Sequence, residues 1–177
     1  MLLAFALQAT VAVTPPGPPL EADSFGERAF AHFSREPVLS HVSESVDAAF
    51  STEPRPDAPI GYALRLTRRE PSHPATIVWA ESRTCPAVRP ALMAMRAVAM
   101  PHPYVSGIDP PGAMVVDGTE YRLRAEAGYA HGRPASIDIG SNRDTPLAAW
   151  VDHSLAALAR CWSPVPPGPA PRVFLTP

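Results

Sequence analysis

Two cysteines, Cys85 and Cys161, limit what this chain can fold into more than any other feature. Each stands at one end of a segment with helical periodicity. In residues 145–162, Leu147, Trp150, Val151, Leu155, Leu158 and Trp162 recur on one broad apolar face, while Asp152, His153 and Arg160 fall off it. Asp144 or Thr145 can cap this helix, Pro146 takes the first helical position, and Pro164 stops it. Cys85 opens the second helical stretch, 85–100. Pro90 is awkward inside it, because an interior proline removes a hydrogen bond and clashes with the preceding turn. The regular helix therefore begins near Arg89, or its first turn is irregular. A cysteine at the start of one helix and another at the end of its neighbour fit two antiparallel helices joined by a disulfide. Such a bond closes a loop of about 77 residues and contributes roughly 4 kcal/mol, less any strain.

A disulfide needs an oxidising compartment. The absence of any CxxC pair argues against a structural zinc site or a thioredoxin-like redox motif. Residues 1–13, MLLAFALQATVAV, read as a short signal peptide with small residues near Ala12, although no basic residue precedes the run and Gln8 interrupts it. The run is too short to span a bilayer, so no transmembrane segment is expected. The expected address is periplasmic or secreted, and the alternative is a cytoplasmic chain with free thiols. Many of the 24 prolines lie in a linker at 14–23 and a tail at 163–177. Between them lies one domain, 24–162. The tail reads as disordered, with docking of Val173, Phe174 and Leu175 on a sheet edge as the alternative.

Within that domain, residues 24–52 read as short helices. Ser24 and Glu27 form a capping box ahead of Phe25, Ala29, Phe30 and Phe33, and Val38, Val42, Val46 and Ala49 or Phe50 suggest a second helical face. The core, 60–162, begins with a strand at 60–67 in which Ile60, Tyr62, Leu64 and Leu66 alternate with smaller or polar residues. Residues 75–81 are apolar on both faces, which suggests a central strand. Asp117-Gly118 is a two-residue turn signal and predicts a hairpin of 113–116 with 119–127. The last strand, 135–139, must keep Ile137 and Ile139 on the core face. A loop with Gly132 at positive φ does so by setting Ala125 against Ile139 and Ala127 against Ile137. The sum is an α+β fold in β-β-α-β-β-β-α order: a mainly antiparallel sheet of about five strands with two helices on one face.

The chemistry is less legible. Net charge is −2 and all 15 basic residues are arginine, so no basic stripe points to nucleic acid. No histidine pair has the spacing that brings two imidazoles to one metal, and neither a metal nor a cofactor is expected. Asp152 and His153 are adjacent on a helix and point about 100° apart, so they cannot form a relay with each other. Two loops that lead into helices carry Arg83 and the run Ser141, Asn142, Arg143. Each could hold an anion weakly. Glu120, Arg122, Arg124 and Glu126 alternate in sign on the outer face of one strand. No catalytic motif is present. The expectation is a non-catalytic binding module whose partner is a protein, a peptide or a small ligand in the cell envelope. The alternative is a small envelope hydrolase that uses His73, His102 or His153 with a serine such as Ser82, Ser136 or Ser141.

Overall fold

The structure, a computed structural model, describes residues 25–51, 59–109, 118–128 and 132–168. The expected leader at 1–13, the linker at 14–23, the strand at 113–116 and the tail beyond residue 168 lie outside the described residues; the segment expected to form a hairpin with 113–116 is paired instead with 31–37 on one side and 134–141 on the other.

A 3-10 turn at Gly26–Arg28 leads into β1 (Ala31–Pro37) and β2 (Ser43–Phe50). Then come β3 (Tyr62–Arg69), β4 (Thr76–Glu81), α1 (Val88–Met95), β5 (Thr119–Gly128), β6 (Pro134–Ser141) and α2 (Pro146–Leu158). All six strands form one antiparallel sheet in the order β4-β3-β2-β1-β5-β6. Both helices lie on one face, so the α+β two-layer arrangement is as expected.

The N-terminal part differs from the expectation of helices at 24–52. Ala31 and Phe33, then Val46 and Ala48, are buried with a period of two and pack in the main core. Ser34 and Ser45 lie between them on the other face. The spacing of Phe30 to Phe33, and of Val42 to Val46 to Phe50, imitates a helical face only because β1 starts after Phe30 and β2 after Val42. The resulting hairpin fills the centre of the sheet. Consequently β4 is an edge strand rather than a central one. Its two apolar faces have separate causes: Val78 and Ala80 meet the main core, whereas Trp79 joins Phe25, Ala49 and Ala63 in a small cluster on the other face.

The main core is closed by the helices. Leu147, Trp150, Val151, Leu155 and Leu158 are buried, as the periodicity requires. Thr145 is the cap and accepts from the Ala148 amide at 3.1 Å, while Asp144 sits at φ 62° just outside the helix. In α1, Pro90 falls in the first turn, where its missing N–H costs nothing. The Trp150 indole donates to the Ala91 carbonyl at 3.1 Å and ties the two helices together. Cys85 and Cys161 form the disulfide, with Cα atoms 5.6 Å apart.

Two details of register differ from expectation. Gly132 has φ +73°, but Ala125 pairs with Ile137 and Ala127 with Ala135, two residues from the predicted alignment. The parity that keeps apolar residues on one face is preserved, because a shift of two leaves every side chain on its side. The start of the C-terminal tail is also ordered. Ser163 exchanges two backbone hydrogen bonds of 2.8 Å with Trp79 and covers the outer edge of β4.

Candidate functional site

Antiparallel pairing places side chains of alternate residues on opposite faces, and it builds one polar network on each. On the helix-covered face, the core row Ala31, Phe33 ends at Arg35. Arg35 Nε donates to Glu44 Oε2 at 2.6 Å and its Nη1 to Asp152 Oδ1 at 2.8 Å. The Tyr121 hydroxyl donates to the second Asp152 oxygen at 2.8 Å. Burial alone pulls the Arg35 guanidinium down, but its bonds to Asp152 and Glu44 outweigh that and leave it raised. Burial, then the bond to Asp152, pushes the Tyr121 phenol up, so it stays a donor at neutral pH. The sequence places Asp152 off the apolar face of its helix. It is the pin between α2 and the strands, while its neighbour His153 is exposed.

Beside this pin lies an open groove of about 620 Å3, floored by Tyr121, Ala148 and Asp152 and rimmed by Arg143, Asp144 and Thr145. Of the residues singled out from sequence, Arg143 lines this groove, and Ser141 and Asn142 adjoin it through Thr145. Ser141 Oγ lies 2.9 Å from Thr145 Oγ1, which in turn donates to the Asn142 carbonyl at 3.0 Å. These polar atoms shape the cap. Arg143 on the rim has no ion-pair partner among the described residues. Arg83 is not part of this group. It follows β4, at the opposite edge of the sheet, about five strand spacings or roughly 24 Å away. There it pairs with Glu81 and donates to the Gly168 carbonyl at 3.0 Å, holding the C-terminal strap.

On the open face, His32, Asp47 and Arg65 stand side by side on β1, β2 and β3. His32 Nδ1 is 2.8 Å from Asp47 Oδ1, and Arg65 Nε and Nη2 donate to Asp47 Oδ2 at 3.1 and 2.7 Å. Arg65 also lies over the Phe25 ring at 5.5 Å. In Asp47, burial is the largest influence and raises the carboxyl, but the bonds and charges of His32 and Arg65 outweigh it and hold it below the usual carboxylate range. Reading 24–52 as helix hid this group. The signal that could have found it is the alternation of apolar Ala31 and Phe33 with polar His32 and Ser34.

The remainder of the open face, on β5 and β6, is exposed and polar. Arg124 pairs with Asp138 across the strands at 3.0 Å, and Arg122 with Glu120 at 3.4 Å. His102 and His153 are exposed and make no described hydrogen bond. The His73 ring reaches only the Pro71 carbonyl, at 3.0 Å. Among the described residues no three of His, Cys, Asp and Glu converge as a metal site, and no helix is long and apolar enough to cross a membrane. No protein-family model, no curated protein and no solved structure matches the chain.

Proposed function

We propose that this protein is a non-catalytic binding module of the periplasm or the secreted medium, and that the open face of its sheet receives a protein or peptide partner. The carrying observation is the surface spanning β1, β5 and β6. There Glu36, Glu120, Arg122, Arg124, Glu126, Ser136 and Asp138 are exposed in one plane, opposite the helix layer. A flat surface of interspersed charges suits a complementary polar partner. Such patterning gives register and specificity more than raw affinity. The Cys85–Cys161 bond supports an oxidising address.

One observation favours a hydrolase, though at a histidine other than His73, His102 or His153: a carboxylate orients the His32 ring, as in a catalytic relay. However, Arg65 holds the other Asp47 oxygen, and no described hydrogen bond joins His32 to a serine. The test is a photo-reactive side chain placed in the full-length protein in its producing cells. Placed at Arg122 or Glu126 it should yield an adduct of discrete mass. Placed at Ala156 or Ala157, on the exposed side of α2, it should not. Equal adducts from both layers, or none from the sheet face, contradict the reading. Turnover of a model ester that disappears in His32→Ala establishes the alternative.

A further inference from the structure

The two edges of the sheet are treated differently. Part of the outward side of β4 is engaged: Trp79 pairs with Ser163, and the Glu81 carbonyl accepts from the Cys85 amide at 2.8 Å, while the outward groups of Ile77 meet no described group. The direction of the backbone groups on β6 follows from two bonds at the other side of β5. The Val38 amide donates to the Gly118 carbonyl, and the Glu126 amide to the Phe30 carbonyl. Even-numbered residues of β5 therefore point to β1, and odd-numbered ones to β6. Through the pairs Leu123–Ile139, Ala125–Ile137 and Ala127–Ala135, the odd residues of β6 point inward. Ser136, Asp138 and Gly140 are left with N–H and C=O groups aimed outward, and Pro134 with a carbonyl alone. No described group bonds to them.

The geometry points to β6 as a pairing edge for a second copy of this chain, antiparallel about a two-fold axis at Ile137. The side chains select that partner and that register. About Ile137, Ser136 lies opposite Asp138 of the other copy, and Pro134 opposite Gly140. Each Ser136 and Asp138 then exchange two bonds with their opposites. Each Gly140 amide meets a Pro134 carbonyl, and the missing proline N–H leaves that outermost pair with one bond instead of two. On the helix side Ile137 meets its own copy and Ala135 meets Ile139, which extends the apolar row. On the open side each carboxylate faces a hydroxyl and keeps Arg124 at 3.0 Å. A register one residue further, about Asp138, would set two carboxylates opposite each other, which is unfavourable. A side chain at Gly140 would meet nothing within 4 Å, so the open face beside this end of β6 is uncrowded. Self-complementary contacts about a two-fold axis are the usual form of a homodimer interface. The axis stands normal to the sheet, so the two polar faces continue into one wider surface. The pairing does not depend on what that surface binds.

Sedimentation velocity of the full chain over a concentration series should show a reversible monomer–dimer equilibrium. Ser136→Pro removes an outward N–H that makes no bond within the monomer, and edge strands tolerate such a proline. It should weaken the dimer by roughly tenfold or more, since the amide is used twice in each dimer. If that variant fails to fold, single cysteines decide. Opposed residues of the pair that exchanges no hydrogen bonds lie about 4.5 Å apart. Ile137→Cys should therefore form a disulfide-linked dimer on mild oxidation, and Ala135→Cys, offset along the strand, should not. A monomer at every concentration, a dimer indifferent to Ser136→Pro, or equal cross-linking at 135 and 137 overturns the assignment.

Discussion

Asp47→Asn should cost about 2 kcal/mol at neutral pH, and that cost should disappear in acid. The Asp47 side chain is 13% exposed and the Arg65 side chain 16%, so the pair sits between surface and interior. Removing one partner of a fully buried pair costs about 3–5 kcal/mol, whereas an exposed pair contributes about 0.2–1 kcal/mol. Asparagine keeps one carbonyl acceptor for Arg65, which places the loss near 2 kcal/mol. For roughly 125 described residues, with an unfolding entropy of about 2.1 cal/mol/K each, that is about 8 °C in melting temperature. The pH dependence follows from the direction of the carboxyl shift. The folded Asp47 is held below its unfolded value, so its contribution is present above the unfolded value near 4. It is lost as the pH falls through the lower, folded value. Asparagine does not titrate. Denaturant unfolding of both proteins should give a constant difference from pH 7 to about 5, shrinking below about pH 4. A difference under about 0.5 kcal/mol at pH 7, or one unchanged down to pH 3, refutes the argument that the network stabilises the open face.

Three other substitutions separate local effects. Cys161→Ala should lower stability by roughly 4 kcal/mol in oxidising buffer and far less in reducing buffer; equal losses in both make Cys161 a packing residue only. Ser154→Ala should leave stability unchanged or raise it by about 1 kcal/mol, because the Ser154 hydroxyl is buried without a hydrogen-bond partner. A loss above about 1 kcal/mol in a thermal melt reveals a bond that this structure does not contain. Thr145→Ala should cost about 1 kcal/mol through the lost cap of α2, and Thr145→Ser almost nothing; equal losses count against capping.

The parts of the fold legible in the sequence are those with one dominant local signal. The apolar stripe from Leu147 to Leu158 has a single period and only one way to be buried. The cysteines add a distance that few arrangements of two helices can meet. The hairpin at 31–50 was illegible because its core residues, Ala31, Phe33, Val46 and Ala48, are few and its flanking aromatics imitate a helical repeat. Pairing with β5 on one side and β3 on the other decides the matter, and those contacts are distant in sequence. The same reasoning covers the polar groups. Asp152 looks like a solvent residue along its helix. It becomes a pin because β1 delivers Arg35, 117 residues away, and β5 delivers Tyr121 to its two oxygens. His32, Asp47 and Arg65 have no spacing that a motif could capture, since three different strands supply them. Ser141, Asn142 and Arg143 lie together simply because they are contiguous in the chain. Arg83 reads from the sequence as a separate loop of the same kind, and the sheet order puts it at the far edge.

The address, the clamp between the helices and the class of partner all depend on the bridge being closed in the cell. Intact mass of the protein recovered from its producing cells, measured with and without thiol alkylation under denaturing conditions, tests this most directly. The prediction is a single species whose mass alkylation leaves unchanged, because Cys85 and Cys161 are bonded to each other. A species that gains two alkyl groups contradicts it, removes the basis for an oxidising address, and sends the search for partners into the cytosol.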